Sequence, residues 1–406
     1  MRPTYDSDTA MFRQTVRDFL RANLPPGWKG IGALGADEAH HFANDVWRPV
    51  LAEHGYLAPA WPAEFGGGGL SELEQVILVE EFSKVGAPRG GSNDQFSITY
   101  CGNTILNWGT DDQKAEFLPK IISGEYVFCQ GYSEPNAGSD LAALSCRAEP
   151  DGDEWVINGQ KVWTSSAHHA NWIFVLCRTD TELPRHNAIT FFLCPMNQPG
   201  VVVRPIPILS GEIEFSETFF TDARTSSRNI IGDVNGGWAV AMALLGFERG
   251  AAAATLPIDF RNELDRLIAL ARQRGTTDDA LIRQRLARAH CDVEIMRFMG
   301  MRTLTGWLKG AKPGPSESVF RVFWGEYHRR VTELAVDIFG ADAMHIDGKL
   351  PNNAARTDDV GAPNDTGSWV GTFYNARAGT IYGGTAEIQR NVLGEMVLGL
   401  PREPRG

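Results

Sequence analysis

A glutamate that interrupts an apolar helical face is the residue of this 406-residue chain best placed to move a proton. After the Gly236-Gly237 break, positions 241, 244, 245, 248, 251 and 252 share one face at 3.6 residues per turn. Their occupants are Ala241, Leu244, Leu245, Glu248, Ala251 and Ala252. A carboxylate buried in such a stripe has its pKa raised toward neutrality, where a general base works best. On the residues alone an alternative stands beside this one: Glu248 as an edge residue paired with Arg249 or with a neighbouring helix.

Three other stretches collect groups suited to a ligand. Gln130 to Ser139 (Gln-Gly-Tyr-Ser-Glu-Pro-Asn-Ala-Gly-Ser) offers hydroxyls, backbone polar groups and an Ala-Gly pair that allows close approach. It also reads as a sharp Pro/Asn/Gly turn. Trp163 ends a strand pattern and by periodicity is a core aromatic. Near the C-terminus, Thr385 in Tyr382-Gly383-Gly384-Thr385-Ala386-Glu387 stands where a helix N-cap is expected. The glycine run Gly66 to Gly69 lacks the Lys-Ser/Thr ending of a phosphate loop and reads as a turn.

The elements that must position these groups change texture twice. Residues 1–125 read as helical, with Glu72 to Val85 a candidate helix. Residues 126–233 read as six or so short strands forming an antiparallel barrel or sandwich. The candidates are Trp172 to Cys177, Ala188 to Cys194, Val201 to Ile208 and Ile213 to Phe220. Asn158-Gly159, between Trp155-Val156-Ile157 and Gln160 to Thr164, predicts a hairpin. Residues 234–406 return to helices at Trp238 to Ala254, Phe260 to Gln273, Ala280 to Leu308 and Ser316 to Phe339, with a last one from Ala386. Asp358 to Ser368 reads as a surface loop. The fold class is α+β in three domains: helical, β, helical bundle.

Composition narrows the function. A net charge of −12 argues against a nucleic-acid scaffold but permits a compact anionic ligand held by a few arginines. Six cysteines without a Cys-x-x-Cys pair, and histidines paired only as neighbours, give no disulfide or metal pattern. No apolar run is long enough for membrane insertion, and acids near the N-terminus fit no leader peptide. A cytoplasmic protein is expected.

Ile381 to Asn391 resembles the closing motif of the acyl-CoA dehydrogenase family. Tyr132 to Asp140, Asn158 to Ser165, Phe219 to Arg224 and Gly232 to Trp238 resemble further family segments in the same order. In many members a glutamate stands between the tyrosine and the Gly-Thr pair and serves as the base; here Gly383 takes that place. Isovaleryl-CoA and long-chain dehydrogenases carry the base as Glu-Arg on the helix after the β-domain, and Glu248-Arg249 matches that arrangement. The resemblance implies FAD as cofactor and α,β-dehydrogenation of an acyl-CoA thioester. It makes Glu248 the base, Arg249 its orienting neighbour and the Gly383 amide a donor to the thioester oxygen.

It further implies that Gln130, Tyr132 and Ser133 meet the flavin pyrimidine edge, and that Ser139 approaches the pyrophosphate and the acyl-CoA. Trp163 lies against the ring, with Ser165 near flavin N5 and Thr164 as a neighbour. Thr385 and Glu387 reach the pyrophosphate and ribose. Electrons pass to an electron-transfer flavoprotein. Arg274, in Ala271 to Gly275, is the candidate for a phosphate contact made across a subunit interface. The glycine turn expected after Phe339 reads Gly340-Ala341-Asp342-Ala343-Met344, with an acid where phosphate would lie. That departure raises a heterotetramer with a second acyl-CoA dehydrogenase-like subunit beside the homotetramer. A catalytically silent partner subunit, or a flavin oxidase or monooxygenase on the same scaffold, are the competing readings.

Overall fold

The computed structural model describes residues 7–311, 314–348 and 357–402, with the side chains at 7 and 247–252 outside that description. In chain order the helices are α1 (Ser7–Asn23), α2 (Ala36–His41), α3 (Arg48–Glu53), α4 (Glu72–Val85), α5 (Asn103–Trp108) and α6 (Asp111–Ser123). Seven strands follow among the described residues: β1 (Phe128–Gly131), β2 (Arg147–Asp151), β3 (Glu154–Lys161), β4 (Trp172–Arg178), β5 (Ile189–Pro195), β6 (Val201–Pro207) and β7 (Ile213–Ser226). The chain ends in α7 (Gly237–Gln273), α8 (Ala280–Leu308), α9 (Ser318–Phe339), α10 (Thr366–Ala378) and α11 (Ala386–Val392). The succession is helical, β, helical, as the sequence pattern implies.

Two compact units form, one of residues 1–50, 70–89 and 249–406, the other of 51–69 and 90–248. In the helical unit α4 starts on a capping box. Ser71 accepts from the Glu74 amide, and the Glu74 carboxylate accepts from the Ser71 amide at 2.8 Å. Gly86 ends the helix at φ 63°. Glu81, buried on α4, binds Arg13 and Arg17 of α1 and its own neighbour Lys84. The C-terminal core gathers Phe260, Leu264 and Leu267 of α7, Val293 and Met296 of α8, and Tyr327 and Leu334 of α9. The two helices expected at 238–254 and 260–273 are one continuous α7 with Pro257 inside it. Proline removes the donor for the carbonyl four residues back, at Ala253. Gly300 of α8 lies so close there that a Cβ on it would stand 2.6 Å from the Ala253 oxygen. The crossing with α8 thus packs over the carbonyl that Pro257 leaves without its helical donor.

In the other unit the sheet runs β1-β4-β2-β3-β7-β6, with β5 paired to β4. Most pairs are antiparallel, but β1 and β2 each run parallel to β4. β4 and β5 are near-continuous apolar runs, buried on both faces, whereas β6 at the edge carries Pro205 and Pro207. Helix α6 covers the sheet through Phe117, which meets Phe128 and Trp172.

The Asn158-Gly159 hairpin is not formed. Both residues lie inside β3, where a bulge shifts the register to β7 between Ile157 and Gly159. Gly159 has φ 148°, and a Cβ there would sit 2.7 Å from the Cys146 Cα, so the glycine serves close strand approach. Asn158 exchanges hydrogen bonds with Asp222 at 2.9 and 3.0 Å. The turn of the true hairpin, β2 to β3, is at Gly152-Asp153, with Gly152 at φ 65°. The glycine run at 66–69 is a packed turn: the Gly69 amide donates to the Trp61 carbonyl at 2.9 Å.

Candidate active site

In the sheet unit the turn after β1 is fixed by a buried ion pair that the sequence reading overlooked. Lys161, fully buried at the end of β3, meets the Glu134 carboxylate at 2.7 Å and donates to the Tyr132 carbonyl at 3.2 Å. Glu134 also accepts from the Ser145 amide at 2.6 Å, the Ser145 hydroxyl at 2.8 Å and the Cys146 amide at 2.9 Å. Burial pushes its carboxyl up, but Lys161 and these donors outweigh that and hold it below the usual range. The cue was present in sequence: a lysine at the inward end of a strand that otherwise buries Trp155 and Ile157.

This pair sets which groups of the turn remain available. The Tyr132 ring goes inward against Phe174 and Phe191, and its carbonyl is held by Lys161. Gln130 and Ser133 are half-buried, and Ser139 is exposed. A Cβ at Gly138 would touch nothing within 4 Å, leaving open approach to that backbone.

The Val162 amide donates to the Ser133 carbonyl at 2.9 Å, which brings the segment after β3 beside this turn. Thr164 pairs with Ser216 of β7 in both directions, at 3.0 and 3.1 Å, and the Ser166 amide donates to Glu214 at 2.8 Å. Between these anchors Trp163 has φ 60° and Ser166 φ 52°. Left-handed torsions at non-glycine residues cost roughly 1–3 kcal/mol and persist where neighbours over-determine them. Contrary to the periodicity, Trp163 is 58% exposed, resting its edge on Phe215 at 5.8 Å. Thr164 is turned into the core, accepting from Thr218 at 3.3 Å, so it is not open to share a ligand. Ser165 is half-buried and makes no hydrogen bond among the described residues. An open indole face with a free hydroxyl two residues on suits a planar ring with a polar edge.

Glu214 on β7 is a second group missed from sequence. Its Oε2 is buried without a hydrogen-bond partner, and burial together with nearby Glu212 pushes its carboxyl up to about 7.

In the helical unit, Gly383 and Gly384 have φ 64° and 88°. Their amides have no acceptor among the described residues, and Gly383 is exposed. Gln389, fully buried on α11, donates to the Gly383 carbonyl at 3.2 Å. Thr385 is the N-cap of α11, accepting from Ile388 at 3.1 Å. Glu387 is exposed, 3.7 Å from Arg390. The free amides suit an anionic oxygen.

Arg274 does not join this turn. It binds the carbonyls of Ile338 and Phe339 at 3.2 Å and the Asp342 carboxylate, at the far end of α9. The 379–389 turn meets Arg321 in the first turn of α9, roughly 27 Å away at 1.5 Å per residue. The acid at 342 therefore occupies the cation expected to reach phosphate.

Glu248 and Arg249 lie within α7, and their side chains fall outside the described residues. Of the positions that share the face of 248 by helical period, Ala241 and Leu244 are fully buried.

Comparison with known proteins identifies the frame. Family profiles match residues 6–125 as the acyl-CoA dehydrogenase N-terminal domain, 129–223 as the middle domain and 235–398 as the C-terminal domain. The chain is 41% identical to acyl-CoA dehydrogenase IpdE1 of Mycobacterium tuberculosis, over 98% of this chain and all of that one. Among solved structures it resembles the Tcur3481-Tcur3483 steroid ACAD, with TM-score 0.81 and 30% identity over 99% of this chain and all of that one. It also resembles the ChsE4-ChsE5 complex from M. tuberculosis, with TM-score 0.78 and 29% identity over 99% of this chain and all of that one. The chain belongs to the acyl-CoA dehydrogenase family of FAD-dependent oxidoreductases.

Proposed function

We propose that this chain performs α,β-dehydrogenation of an acyl-CoA thioester, with Glu248 removing the α-proton and the Gly383 amide donating to the thioester oxygen. The observation that carries this reading is the open amide of Gly383, in a turn whose carbonyl is tied back to Gln389. An α-proton is too weakly acidic for a carboxylate unless the developing enolate is stabilised, and a preorganised donor at the oxygen lowers that barrier. Ala241 and Leu244, which share the helical period of position 248, are fully buried. Arg249 orients the Glu248 carboxylate.

FAD, when bound, supplies the acceptor for the β-hydride at N5 and hands the electrons on to an electron-transfer flavoprotein. We assign its holding to Gln130, Tyr132 and Ser133, the face of Trp163, the Ser165 hydroxyl, Ser139, Thr385 and Glu387. The three-domain division at 125 and 233, and a cytoplasmic location, belong to the same proposal.

The occupied Arg274 favours a second element: a heterotetramer in which a related subunit completes the FAD site. The ChsE4-ChsE5 complex and the Tcur3481-Tcur3483 pair support an assembly of two different subunits, and the latter, a steroid ACAD, supports a ring-bearing acyl group. Glu248→Gln, purified with its partner, is expected to lower turnover by about 10²–10⁴-fold with flavin content unchanged. Undiminished turnover refutes the assignment of the base.

A further inference from the structure

We propose that Arg321 is a positioning residue that aims the Gly383 amide, by holding two carbonyls of the chain that leads into it. This rests on the role given to Gly383 above. Arg321 is 9% exposed in the first turn of α9. One guanidinium nitrogen donates to the Gly379 carbonyl at 2.7 Å and another donates to the Tyr382 carbonyl. Its plane lies over the Trp324 ring at 4.4 Å and the Tyr382 ring at 5.4 Å.

These contacts act on specific torsions. The Tyr382 carbonyl belongs to the same peptide unit as the Gly383 N–H, so fixing the oxygen fixes the opposite direction of the hydrogen. Gln389 fixes the next peptide unit by donating to the Gly383 carbonyl. The peptides before and after Gly383 are thus each anchored by a buried side chain. Gly325, one helical turn after Arg321, makes the reach possible: a Cβ there would stand 3.1 Å from the Gly379 oxygen and 3.2 Å from the Arg321 Nη1. A rigid fork with two parallel donors can bridge carbonyls three residues apart, whereas a lysine ammonium is a point charge on a flexible stem.

The test uses holoenzyme and [1-13C]acetyl-CoA, a thioester with α-hydrogens and no β-carbon, so no oxidation intervenes. Isotope-edited infrared spectra of the bound carbonyl report the hydrogen bond from Gly383, and exchange of the methyl protons into D2O reports α-proton removal. Wild-type is expected to show a red-shifted carbonyl and measurable exchange. Arg321→Lys is expected to lose more than half of the shift and slow exchange at least tenfold, with acetyl-CoA affinity within about threefold and flavin content retained. Arg321→Gln is expected to lose the shift entirely. Should it fail to fold, Gln389→Leu tests the second anchor, with partial loss expected. A full red shift in the Arg321 variants overturns the positioning role alone. No shift in wild-type overturns the Gly383 donor itself, and the positioning role with it.

Discussion

Glu214 stands on the β7 face that also bears Ser216 and Thr218, and its own backbone carbonyl anchors Ser166 beside the exposed Trp163. An acid raised from 4.5 to about 7 binds a proton in the folded chain that the unfolded chain has released. Its contribution to stability is therefore complete below about pH 4.5 and is lost as pH rises through 7. Glu214→Gln removes that dependence. The variant should match wild-type near pH 5 and exceed it at pH 8 by on the order of 1–3 kcal/mol, read as a rising melting temperature difference. A difference that grows toward acid pH would refute it. Glu214 also marks where sequence reading stops at this scale. Glu248 is legible because periodicity exposes a lone carboxylate in an apolar stripe, and Gly383 because a motif leaves a gap. The burial of Glu214 depends on strands distant in sequence, and so do the inward turns of Thr164 and the Tyr132 ring. Periodicity called Trp163 a core residue because it cannot see a left-handed torsion.

Among the elements, the Glu134–Lys161 pair joins the turn after β1 to the end of β3 and so decides which backbone groups that turn presents. Removing one charge strands the other in a site where Lys161 is fully buried and Glu134 nearly so. Such removal costs about 3–5 kcal/mol, whereas replacing both partners by apolar groups of similar size is far milder. Glu134→Gln is accordingly expected to lower the melting temperature more than the Glu134→Gln/Lys161→Met double variant, which removes both charges yet keeps an acceptor for the Ser145 and Cys146 donors, and to reduce retained FAD. Equal losses would mean that the pair acts independently of its partner charges. The helices show what local signals carry. α4 and α8 begin and end as their periodicity and caps predict. The helix α10 went unread, because Thr366, Gly367, Ser368, Trp369, Val370, Gly371 and Thr372 are all buried. A helix whose first two turns are buried by small and polar residues around Trp369 and Val370 has no apolar stripe to detect. Asn-Gly misled for a related reason: the dipeptide is a turn signal only if the chain reverses, and here β7 and Cys146 hold it extended through a bulge.

At the scale of the whole molecule, the question is what one chain can hold by itself. The free amides at Gly383 and Gly384 and the open Trp163 face are complete within the chain, but its candidate phosphate arginine is not available. Arg274 is bound by Asp342 and two carbonyls and lies over the Phe339 ring at 5.2 Å. An arginine so engaged would have to break a charge-assisted hydrogen bond before reaching a phosphate, and such bonds are roughly twice as strong as neutral ones. The chain purified alone should therefore carry well under one FAD per polypeptide. Copurified with a related subunit that keeps the glycine turn, it should approach one FAD per pair, measured by the ratio of flavin to protein absorbance. Asp342→Gly removes the carboxylate that holds Arg274, leaving the two weaker carbonyl contacts, so it should raise the flavin content of the chain alone. One FAD per polypeptide in the unmodified chain by itself would show that the Asp342 contact is no obstacle, and the case for an obligate partner would fall with it.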